Sequence, residues 1–520
     1  MKVNMKKILW ADDEVEHLKS HVLFLREKGY DVTPVTNAED AISLIREKQY
    51  DIILLDEMMP GMDGLEALNI IKEINPSIPI VMITKSEEED LMDQAIGNKI
   101  EDYLTKPVNP SQILSSCKRI LDKNKIVKDR ITRDYTSEFA EITQLFDESL
   151  DMDKWAKIHL KLSERFIDLD EHKDLGLHQT LDDLRMECNH NFVRFIINEY
   201  KNWLKNPDRP VLSPDVFKKY VLPELKEGEK VLLLIIDNLR MDQWLVIEPL
   251  LYDFVRIERN YHCSILPSAT PYSRNSIFSG MMPVEILKKF PKFWDRHSEK
   301  DESSWNRYEH ELMQNQIKES GIHIQGKCQY LKIITRDDAQ LALNNFQGLL
   351  NNQLIAMVFN FVDIVAHRRN DSEIIHEIVP DESAYRALTK TWFEHSFLFD
   401  IIKTAVKNGF KIVITSDHGS IHVKRGITIY ADKHTSTNLR YKFGRNLRAE
   451  GKNFVDIKNP DEFGLPSTGI NYNYVIATED TFFVYPTNYH KYLSMFKNSF
   501  QHGGISLDEM ILPVAILTAK

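Results

Sequence analysis

Short apolar runs alternate with stretches of helical period along the first part of this 520-residue chain. Between the runs, residues 15–27 and 39–47 place apolar side chains three or four positions apart, which predicts amphipathic helices. The apolar runs themselves predict strands at residues 8–10, 32–35, 52–55, 80–83 and 103–104. Five strands alternating with helices predict an open parallel sheet in an α/β domain over residues 1–125.

The pattern changes after residue 125. Residues 126–225 hold no strong apolar run, and their apolar side chains recur at helical spacing, as Ile158, Leu162 and Phe166 do. We therefore expect a helical bundle that connects two α/β domains.

Residues 226–520 predict a third and larger domain. Helical patterns separate its fully apolar runs, which lie at residues 231–236, 355–362, 411–415 and 510–517. Strands without polar alternation are buried on both faces, as in parallel sheets that helices cover. The third domain is therefore expected to be α/β with a buried, mostly parallel sheet.

Composition and charge narrow the classes of function. The formal net charge of -12 argues against a general nucleic-acid coat or an anionic membrane surface as partner, since both attract positive proteins. The four cysteines are too far apart for a paired metal motif and indicate a reducing compartment. The N-terminus has no apolar signal core, and no apolar run approaches the roughly 20 residues of a membrane span. We expect a cytoplasmic protein without a membrane span.

Five polar residues end or follow strands of the first predicted sheet: Asp12, Asp13, Asp56, Thr84 and Lys106. The ends of parallel strands share one edge of a sheet, so these side chains are expected to converge. Three carboxylates suit Mg²⁺, Lys106 offsets the charge of an incoming phosphoryl group, and Asp56 is placed to attack it. Any one of these residues alone is more often a strand-end or capping group.

These five residues resemble the receiver domains of response regulators, which have a flavodoxin-like fold. The Met59-Pro60-Gly61 sequence shortly after Asp56 and Pro107 after Lys106 belong to the same resemblance. The resemblance implies phosphotransfer from a sensor histidine kinase to Asp56. It implies that Thr84 binds the new phosphate and that Tyr103 changes rotamer with it. The implied Mg²⁺ ligands are Asp12 or Asp13, Asp56 and the backbone carbonyl of Met58.

Seven polar residues stand out in the third region: Asp237, Thr270, Asp363, His367, Asp417, His418 and His502. Each has a simpler explanation in isolation, because strand-ending Asp and Thr-Pro often cap helices and an Asp-x-x-x-His pair often forms a surface ion pair. Together, carboxylate and imidazole groups that follow strands of one sheet suit Zn²⁺ or Mn²⁺, and seven are enough for two ions. A hydroxyl at a helix start also lies beside backbone N–H groups that bind phosphate.

The order of these seven residues resembles the alkaline phosphatase superfamily, and within it the PglZ-type domain, over residues 226–520. The resemblance implies two Zn²⁺ ions and a covalent mechanism with Thr270 as nucleophile. The implied ligands of the first ion are Asp237, Thr270, Asp417 and His418. The implied ligands of the second ion are Asp363, His367 and His502. Phosphomonoesterase, mutase and sulfatase activities stay open, although the sulfatase signature C/S-x-P-x-R is absent around Thr270.

Three weaker signals lie near these residues. Arg274 and Asn275, one turn beyond Thr270, are candidates to bind a substrate phosphate, with helix packing as the equal alternative. Ser268 and Ser273 are competing hydroxyls that rank below Thr270 by the family pattern alone. A basic stretch at residues 424–452 is either a solvated face or a phosphate contact. Its cations are Lys424, Arg425, Lys433, Arg440, Lys442, Arg445 and Arg448.

The three regions in this order resemble PorX-type response regulators, which are associated with the type IX secretion system of Bacteroidetes. The resemblance implies a sensor histidine kinase, a phosphorylation-dependent homodimer, a link to an alternative sigma factor, and phosphodiesterase action on oligonucleotide-type substrates. The alternative is a signalling adaptor that binds a sigma factor or membrane partner and uses the metal domain as a structural or ligand-sensing module.

Overall fold

The computed structural model describes residues 5–15, 18–85, 100–122, 133, 137–146, 150–172, 176–294, 306–369, 372–431, 438–467, 469 and 471–520. The chain divides into two compact units, residues 1–134 and 135–520. The predicted boundary between residues 125 and 126 lies outside the described residues. Among the described helices, none has both the length and the apolar character needed to cross a bilayer.

The first unit holds a five-stranded sheet in the order β2-β1-β3-β4-β5, with every neighbouring pair parallel. The strands are β1 (Lys6–Ala11), β2 (Tyr30–Val35), β3 (Ile52–Asp56), β4 (Ile80–Thr84) and β5 (Asp102–Thr105). The described helices are α1 (Lys19–Glu27), α2 (Ala38–Glu47), α3 (Gly64–Ile74) and α4 (Pro110–Leu121). The predicted open parallel sheet is confirmed.

Local sequence explains where these helices start. The Asn37 side chain accepts a hydrogen bond from Asp40 N at 2.7 Å before α2, and Asp63 accepts one from Glu66 N at 2.8 Å before α3. Each cap satisfies a backbone donor that has no partner within the helix. The central strands β3 and β4 are buried throughout, which explains their unbroken apolar sequences up to Asp56 and Thr84.

Helices form the start of the second unit: residues 137–145 are helical, and α5 (Met152–Glu171), α6 (His178–Trp203), α7 (Val216–Tyr220) and α8 (Leu222–Lys226) follow. The two long helices pack through aromatic rings, and the Trp155 and Phe192 centroids lie 5.4 Å apart in an edge-to-face contact. These helices and the third predicted region lie in the same compact unit.

The remaining strands are β6 (Lys230–Ile236), β7 (Val255–Cys263), β8 (Cys328–Ile333), β9 (Leu354–Phe359), β10 (Phe410–Thr415), β11 (Ile421–His422), β12 (Arg425–Tyr430), β13 (Tyr441–Arg445), β14 (Arg448–Glu450), β15 (Phe454–Ile457), β16 (Tyr472–Ala477), β17 (Thr481–Val484), β18 (Phe500–Gln501) and β19 (Ile511–Ala519). The central sheet has the order β7-β19-β10-β6-β9-β8. It is parallel from β10 to β8, as predicted, and antiparallel at β19 and β7. The sheet is therefore mixed.

The described helices that accompany these strands are α9 (Met241–Ile247), α10 (Thr270–Ser279), α11 (Pro283–Lys289), α12 (Glu309–Ser320), α13 (Arg336–Leu349), α14 (Phe361–Arg368), α15 (Glu373–Ile378), α16 (Glu382–Glu394), α17 (Phe397–Lys407), α18 (Tyr489–Phe496) and α19 (Leu507–Met510). The apolar run at 355–362 differs from its prediction as one strand, because β9 ends at Phe359 and α14 begins at Phe361. Both elements are buried there, so both require apolar residues.

Candidate active site

The phosphoacceptor candidate of the first unit is buried beside a lysine. Asp56 ends β3 and Asp12 follows β1, and these residues are 3% and 0% exposed. The Lys106 ammonium donates to Asp56 Oδ2 at 2.8 Å and lies 3.0 Å from Asp12 Oδ2. Carboxylate oxygens of Asp12, Asp13 and Asp56 lie within 4.8 Å of one another, which is the oxygen-rich set that Mg²⁺ prefers.

Burial raises the pKa of Asp56, the hydrogen bond from Lys106 opposes that rise, and Asp12 adds to it. A divalent cation would favour the ionised carboxylate that phosphotransfer needs. The Thr84 hydroxyl, at the end of β4, donates to the Glu57 carboxylate. Tyr103, in β5, is half-buried against the apolar residues of the α2–α3 side of the sheet.

Met58, whose carbonyl is the remaining predicted ligand of the first unit, lies two residues beyond Asp56 and has an exposed side chain.

In the second unit, the predicted residues converge at the end of the parallel strands. Asp237 follows β6, Asp363 and His367 lie on α14 after β9, and Asp417 follows β10. The three strands are neighbours in the sheet, so their C-terminal ends meet at one edge. The sequence predicts this grouping, because each of these residues follows a predicted strand of the same sheet.

Three of the predicted ligands form a tight triad. His367 Nε2 lies 3.4 Å from Asp363 Oδ1 and 3.1 Å from His502 Nε2, and His502 Nε2 lies 3.8 Å from Asp363 Oδ1. Ligand atoms bound to one tetrahedral Zn²⁺ at about 2.0–2.2 Å stand roughly 3.3–3.5 Å apart. The spacing of the triad therefore fits a single ion.

A second group surrounds His418. Its Nε2 atom lies 2.8 Å from Thr270 Oγ1, 3.4 Å from Asp237 Oδ1 and 3.9 Å from Asp417 Oδ2. Ligand atoms of Asp237, Asp363 and His418 also lie within 4.8 Å of one another, so Asp363 belongs to both groups. The family pattern assigned Asp363 to one ion alone, whereas the structure places it between the two groups.

Buried carboxylate oxygens that lack a hydrogen-bond donor support a cation at this place. Among the described residues, Asp237 Oδ1 and Asp417 Oδ2 are buried and accept no hydrogen bond. Burial first and the charge of Asp237 next raise the pKa of Asp417 well above its usual value. Burial also raises the pKa of Asp363 to about 6 and lowers the pKa of His418 to about 4. Neutral imidazoles and crowded carboxylates are the ligands that a divalent cation stabilises, so the donor set fits Zn²⁺.

The Thr270 hydroxyl lies at the edge of this group, and the competing hydroxyls do not. Thr270 begins α10 and is half-buried, with its Oγ1 against His418. Ser268 donates to Gly504 O at 2.7 Å, and Ser273 shares a hydrogen bond with Ser264 at 2.7 Å. Both serines are fully buried in these contacts, so Thr270 has the more suitable geometry for a nucleophile.

The first turn of α10 offers less to a phosphate than its sequence indicated. Pro271 has no N–H, and the N–H groups of Tyr272 and Ser273 both donate to Ala269 O at 3.0 Å. These backbone donors are therefore used inside the helix.

Arg274 and Asn275 are occupied by protein contacts and are each 1% exposed. The Arg274 guanidinium donates to Asp237 at 2.6 Å and to Glu309 at 2.5 Å, and the Asn275 amide donates to Pro271 O at 2.9 Å. Arg274 and His418 together hold the pKa of Asp237 below its usual value, although burial alone would raise it. Arg274 thus stabilises the ionised form of a predicted metal ligand.

Sequence reasoning missed several polar residues that support the site. Asn360 donates to Asp237 Oδ2 at 2.9 Å, and Asn306 donates to Glu309 at 2.7 Å. Asn360 directly follows β9, so its place at a strand end was a usable signal. Glu309 begins α12 and carries no such signal, because only packing brings it to Arg274.

The basic stretch is not a uniform solvated face. It runs through β12, β13 and β14 in two small three-stranded sheets. Arg440 is 0% exposed and pairs with Glu509 at 2.5 Å, and Lys442 is 1% exposed. Arg445 and Arg448 are exposed. Lys433 lies outside the described residues.

Three family models match the chain. The response regulator receiver domain matches residues 8–118, and the PorX response regulator linker domain matches residues 125–204. The alkaline phosphatase-like domain of the BREX system protein PglZ matches residues 216–517.

Curated relatives match in the receiver region. The alkaline phosphatase synthesis transcriptional regulatory protein PhoP of Bacillus subtilis is 33% identical over 123 residues, which are 23% of this chain and 50% of that protein. The phosphate regulon transcriptional regulatory protein PhoB of Pseudomonas aeruginosa is 35% identical over 22% of this chain and 52% of its own length. The chain therefore spans about half the length of these two relatives. A receiver domain structure from Methanospirillum hungatei is 27% identical over 24% of this chain and 98% of that chain, with a TM-score of 0.23.

Proposed function

This chain belongs to the family of PglZ alkaline phosphatase-like proteins and has a PorX-like order of receiver, linker and PglZ domain, and on that premise we propose that it is a response regulator that controls its own zinc-dependent phosphodiesterase. The observation that carries the proposal is the Thr270 hydroxyl, 2.8 Å from His418 Nε2 at the edge of a buried carboxylate and imidazole cluster. An activated hydroxyl beside metal ligands is the arrangement that covalent phosphoester hydrolysis requires.

Two Zn²⁺ ions fit the donor set. The proposed ligands of the first ion are Asp237, Thr270, Asp417 and His418. The proposed ligands of the second ion are Asp363, His367 and His502, with Asp363 also near the first group. When bound, two such ions activate the attacking hydroxyl and stabilise charge on the phosphoryl oxygens.

Thr270 supplies the attacking oxygen in the proposed reaction. The hydroxyl lies beside His418 Nε2, another proposed ligand of the first ion, and the start of α10 fixes its main chain. The oxygen bonds to phosphorus as the bond to one ester oxygen breaks, and the leaving alcohol departs with a proton. Water then cleaves the bond between Thr270 and phosphorus, which releases a phosphomonoester and restores the hydroxyl.

Oligonucleotide-type phosphodiesters are the proposed substrate class. Gly503 and Gly504, next to His502, lie against Tyr441 and Arg440 of the basic stretch. The same stretch continues into the exposed Arg445. Because Arg440 is buried and paired with Glu509, the cation that a polyanion bound along this stretch would meet is the exposed Arg445, which supports a nucleic-acid substrate for an otherwise acidic protein.

Hydrolysis of bis-p-nitrophenyl phosphate and of a short oligonucleotide by the full chain tests the proposal. We expect activity in the zinc-loaded protein, and a loss of at least about 100-fold in Thr270→Val and after chelation. Thr404→Val is the matched control, because Thr404 is a half-buried threonine of α17 whose hydroxyl donates to Asp400 O. Equal activity in Thr270→Val and Thr404→Val would rule out the proposed nucleophile.

The receiver domain implies a histidine kinase as phosphodonor. We further propose that phosphorylation of Asp56 favours a homodimer through the β4–β5 face, where Thr84 and Tyr103 lie. The proposed setting is the cytoplasm, in control of type IX secretion and in connection with an alternative sigma factor. The described cysteines are free thiols, which supports a reducing compartment.

A signalling adaptor is the second candidate function. The observation in its favour is an exposed apolar pair on α15, Ile374 and Ile378, which are 70% and 55% exposed and one helical turn apart. Such a pair suits contact with a protein partner such as a sigma factor. A metal-site variant such as His367→Ala that binds its partner and signals normally would favour the adaptor over the enzyme.

A further inference from the structure

Lys332 is a half-buried lysine near the end of β8. The structure gives its ammonium no hydrogen bond and no ion pair with the described part of the chain. Lysine is rarely withdrawn from water without a partner, because an unpaired charge loses hydration and gains nothing in return. Burial first and the nearby Arg274 next lower the pKa of Lys332.

The register of the sheet places Lys332 on the face that carries the site. Lys332 pairs with Val358 of β9, which pairs with Ile235 of β6, two residues before Asp237. Side chains at paired positions of a parallel sheet lie on the same face. Tyr330, two residues earlier on that face, contacts Phe278 of α10 at a centroid distance of 5.6 Å.

The neighbouring cation, Arg274, is neutralised by carboxylates, whereas Lys332 has no ion pair with the described residues. The Tyr330 hydroxyl donates to Glu309, which also pairs with Arg274, and Arg274 reaches Asp237. Lys332 lies about 6.6 Å further along β8 than Tyr330, toward the edge where Asp237 begins its loop. The carboxylates of Glu309, Asp237 and Asp417 all act on the charge of Lys332 from beyond hydrogen-bond distance.

We propose that Lys332 binds a non-bridging oxygen of the substrate phosphate and is the substrate-binding cation that Arg274 does not provide. The inference rests on the proposed function and adds a binding residue to it. A phosphodiester anion supplies a partner that the described residues do not give Lys332, and the lysine holds the group beside Thr270 while the hydroxyl attacks. The ammonium remains a hydrogen-bond donor throughout and takes part in no covalent step.

Binding of inorganic phosphate to the zinc-loaded full chain tests this role, by titration calorimetry and by competitive inhibition of bis-p-nitrophenyl phosphate hydrolysis. Lys332→Met is compared with Lys327→Met, an exposed lysine five positions earlier in the same segment. A hydrogen bond from a charged group is worth a factor of about 10 to 100 in affinity. We expect Lys332→Met to weaken phosphate binding by that factor with unchanged zinc content, and Lys327→Met to bind as the native chain does.

Thermal melting separates binding from a structural role. Because Lys332 has no hydrogen bond or ion pair with the described residues, Lys332→Met is expected to melt at the native temperature or above it while losing phosphate affinity. Lys332→Arg is expected to keep most of that affinity. Native phosphate affinity in Lys332→Met, or a lower melting temperature with loss of zinc, would overturn the assignment. Phosphate binding that needs Lys332 in a chain without hydrolytic activity would support the lysine while rejecting the phosphodiesterase.

Discussion

Asp237 and Asp417 lie together in the interior of the second unit, and neither carboxylate has enough donors. Arg274 and Asn360 both donate hydrogen bonds to Asp237, which stays ionised. Burial and the charge of Asp237 raise the pKa of Asp417. This crowding lowers the stability of the fold, and a bound cation would restore that stability. Active sites commonly store such strain at the expense of stability.

Replacing Asp417 with asparagine is expected to separate these two effects. Without metal, Asp417→Asn removes a repelling carboxylate, so the chelated variant is expected to melt at or above the native temperature. With zinc, the native chain is expected to gain about 4 kcal/mol at a free concentration a thousand times the dissociation constant, and the variant far less. Differential scanning calorimetry with chelator and with zinc measures both. Equal zinc stabilisation in the two proteins would contradict the ligand role.

His262 predicts a pH dependence that is separate from the metal ligands. It lies in β7 with 0% exposure, its Nδ1 is 3.4 Å from Thr415 Oγ1, and burial lowers its pKa to about 3. Below its usual value of about 6.5 the unfolded chain binds a proton that the folded chain refuses, so stability falls as pH falls from 6.5 toward 3, by up to about 1.4 kcal/mol per pH unit.

Denaturant unfolding of the chelated protein between pH 7 and pH 5 checks this contribution. We expect His262→Asn to lose less stability on acidification than the native chain does. His323→Asn changes an exposed histidine and serves as the control. A native slope in His262→Asn would mean that other groups cause the acid sensitivity.

At the residue scale, the sequence predicted the site residues that follow strands. It missed the residues whose position depends on strand pairing or on helix packing. Asp237, Asp363 and Asp417 follow apolar strands, so their convergence was predictable from the parallel sheet alone. The occupation of Arg274 by Glu309 was not, since Glu309 is brought there by packing between α10 and α12. Lys332 gave no signal either, because its face of the sheet follows only from the pairing of β8 with β9.

At the scale of elements, buried ion pairs attach the linker helices to the C-terminal domain. Arg185 of α6 pairs with Glu382 of α16 at 2.6 Å, and Glu382 also pairs with Arg240 at 3.0 Å. Arg386 of α16 donates to Asp170 of α5 at 2.8 Å. The Arg240 guanidinium also donates to a backbone carbonyl of the loop that carries His418, at 3.3 Å. The linker helices therefore help to support that loop.

Removing Arg185 is expected to destabilise the second unit strongly. Arg185→Gln leaves Glu382 partly uncompensated in the interior, and breaking a buried pair costs about 3 kcal/mol. Lys161→Gln, in α5, removes the more exposed pair with Glu141 and is expected to cost no more than about 0.5 kcal/mol. Denaturant unfolding followed by tryptophan fluorescence measures the difference. Similar losses in both variants would contradict the importance of the buried network.

The helical period of residues 158–166 correctly predicted α5, but it contains no sign of these partners. Asp170 and Arg185 are ordinary polar positions of amphipathic helices, and their partners lie more than 190 residues away in the sequence. The apolar run at 355–362 shows that sequence periodicity cannot separate a buried strand from a buried helix start, because both require apolar residues.

At the scale of the whole molecule, one chain joins a phosphoacceptor to a candidate enzyme. We expect a beryllofluoride-treated chain, which mimics phosphorylation of Asp56, to sediment as a dimer, and the untreated chain as a monomer. Asp56→Asn should remain monomeric under both conditions, because its neutral amide lacks the anionic carboxylate oxygen to which beryllofluoride binds. Equal mass with and without the mimic would contradict the proposed switch.

The most direct test of the central claim is to look for a covalent adduct on Thr270. The zinc-loaded chain is mixed with bis-p-nitrophenyl phosphate, quenched in acid, and mapped by peptide mass spectrometry. We expect a phosphoryl ester on the peptide that contains Thr270, and none after chelation or in Thr270→Val. Turnover without an adduct on that peptide, or an adduct on Ser268 or Ser273, would contradict a threonine nucleophile held in this metal site.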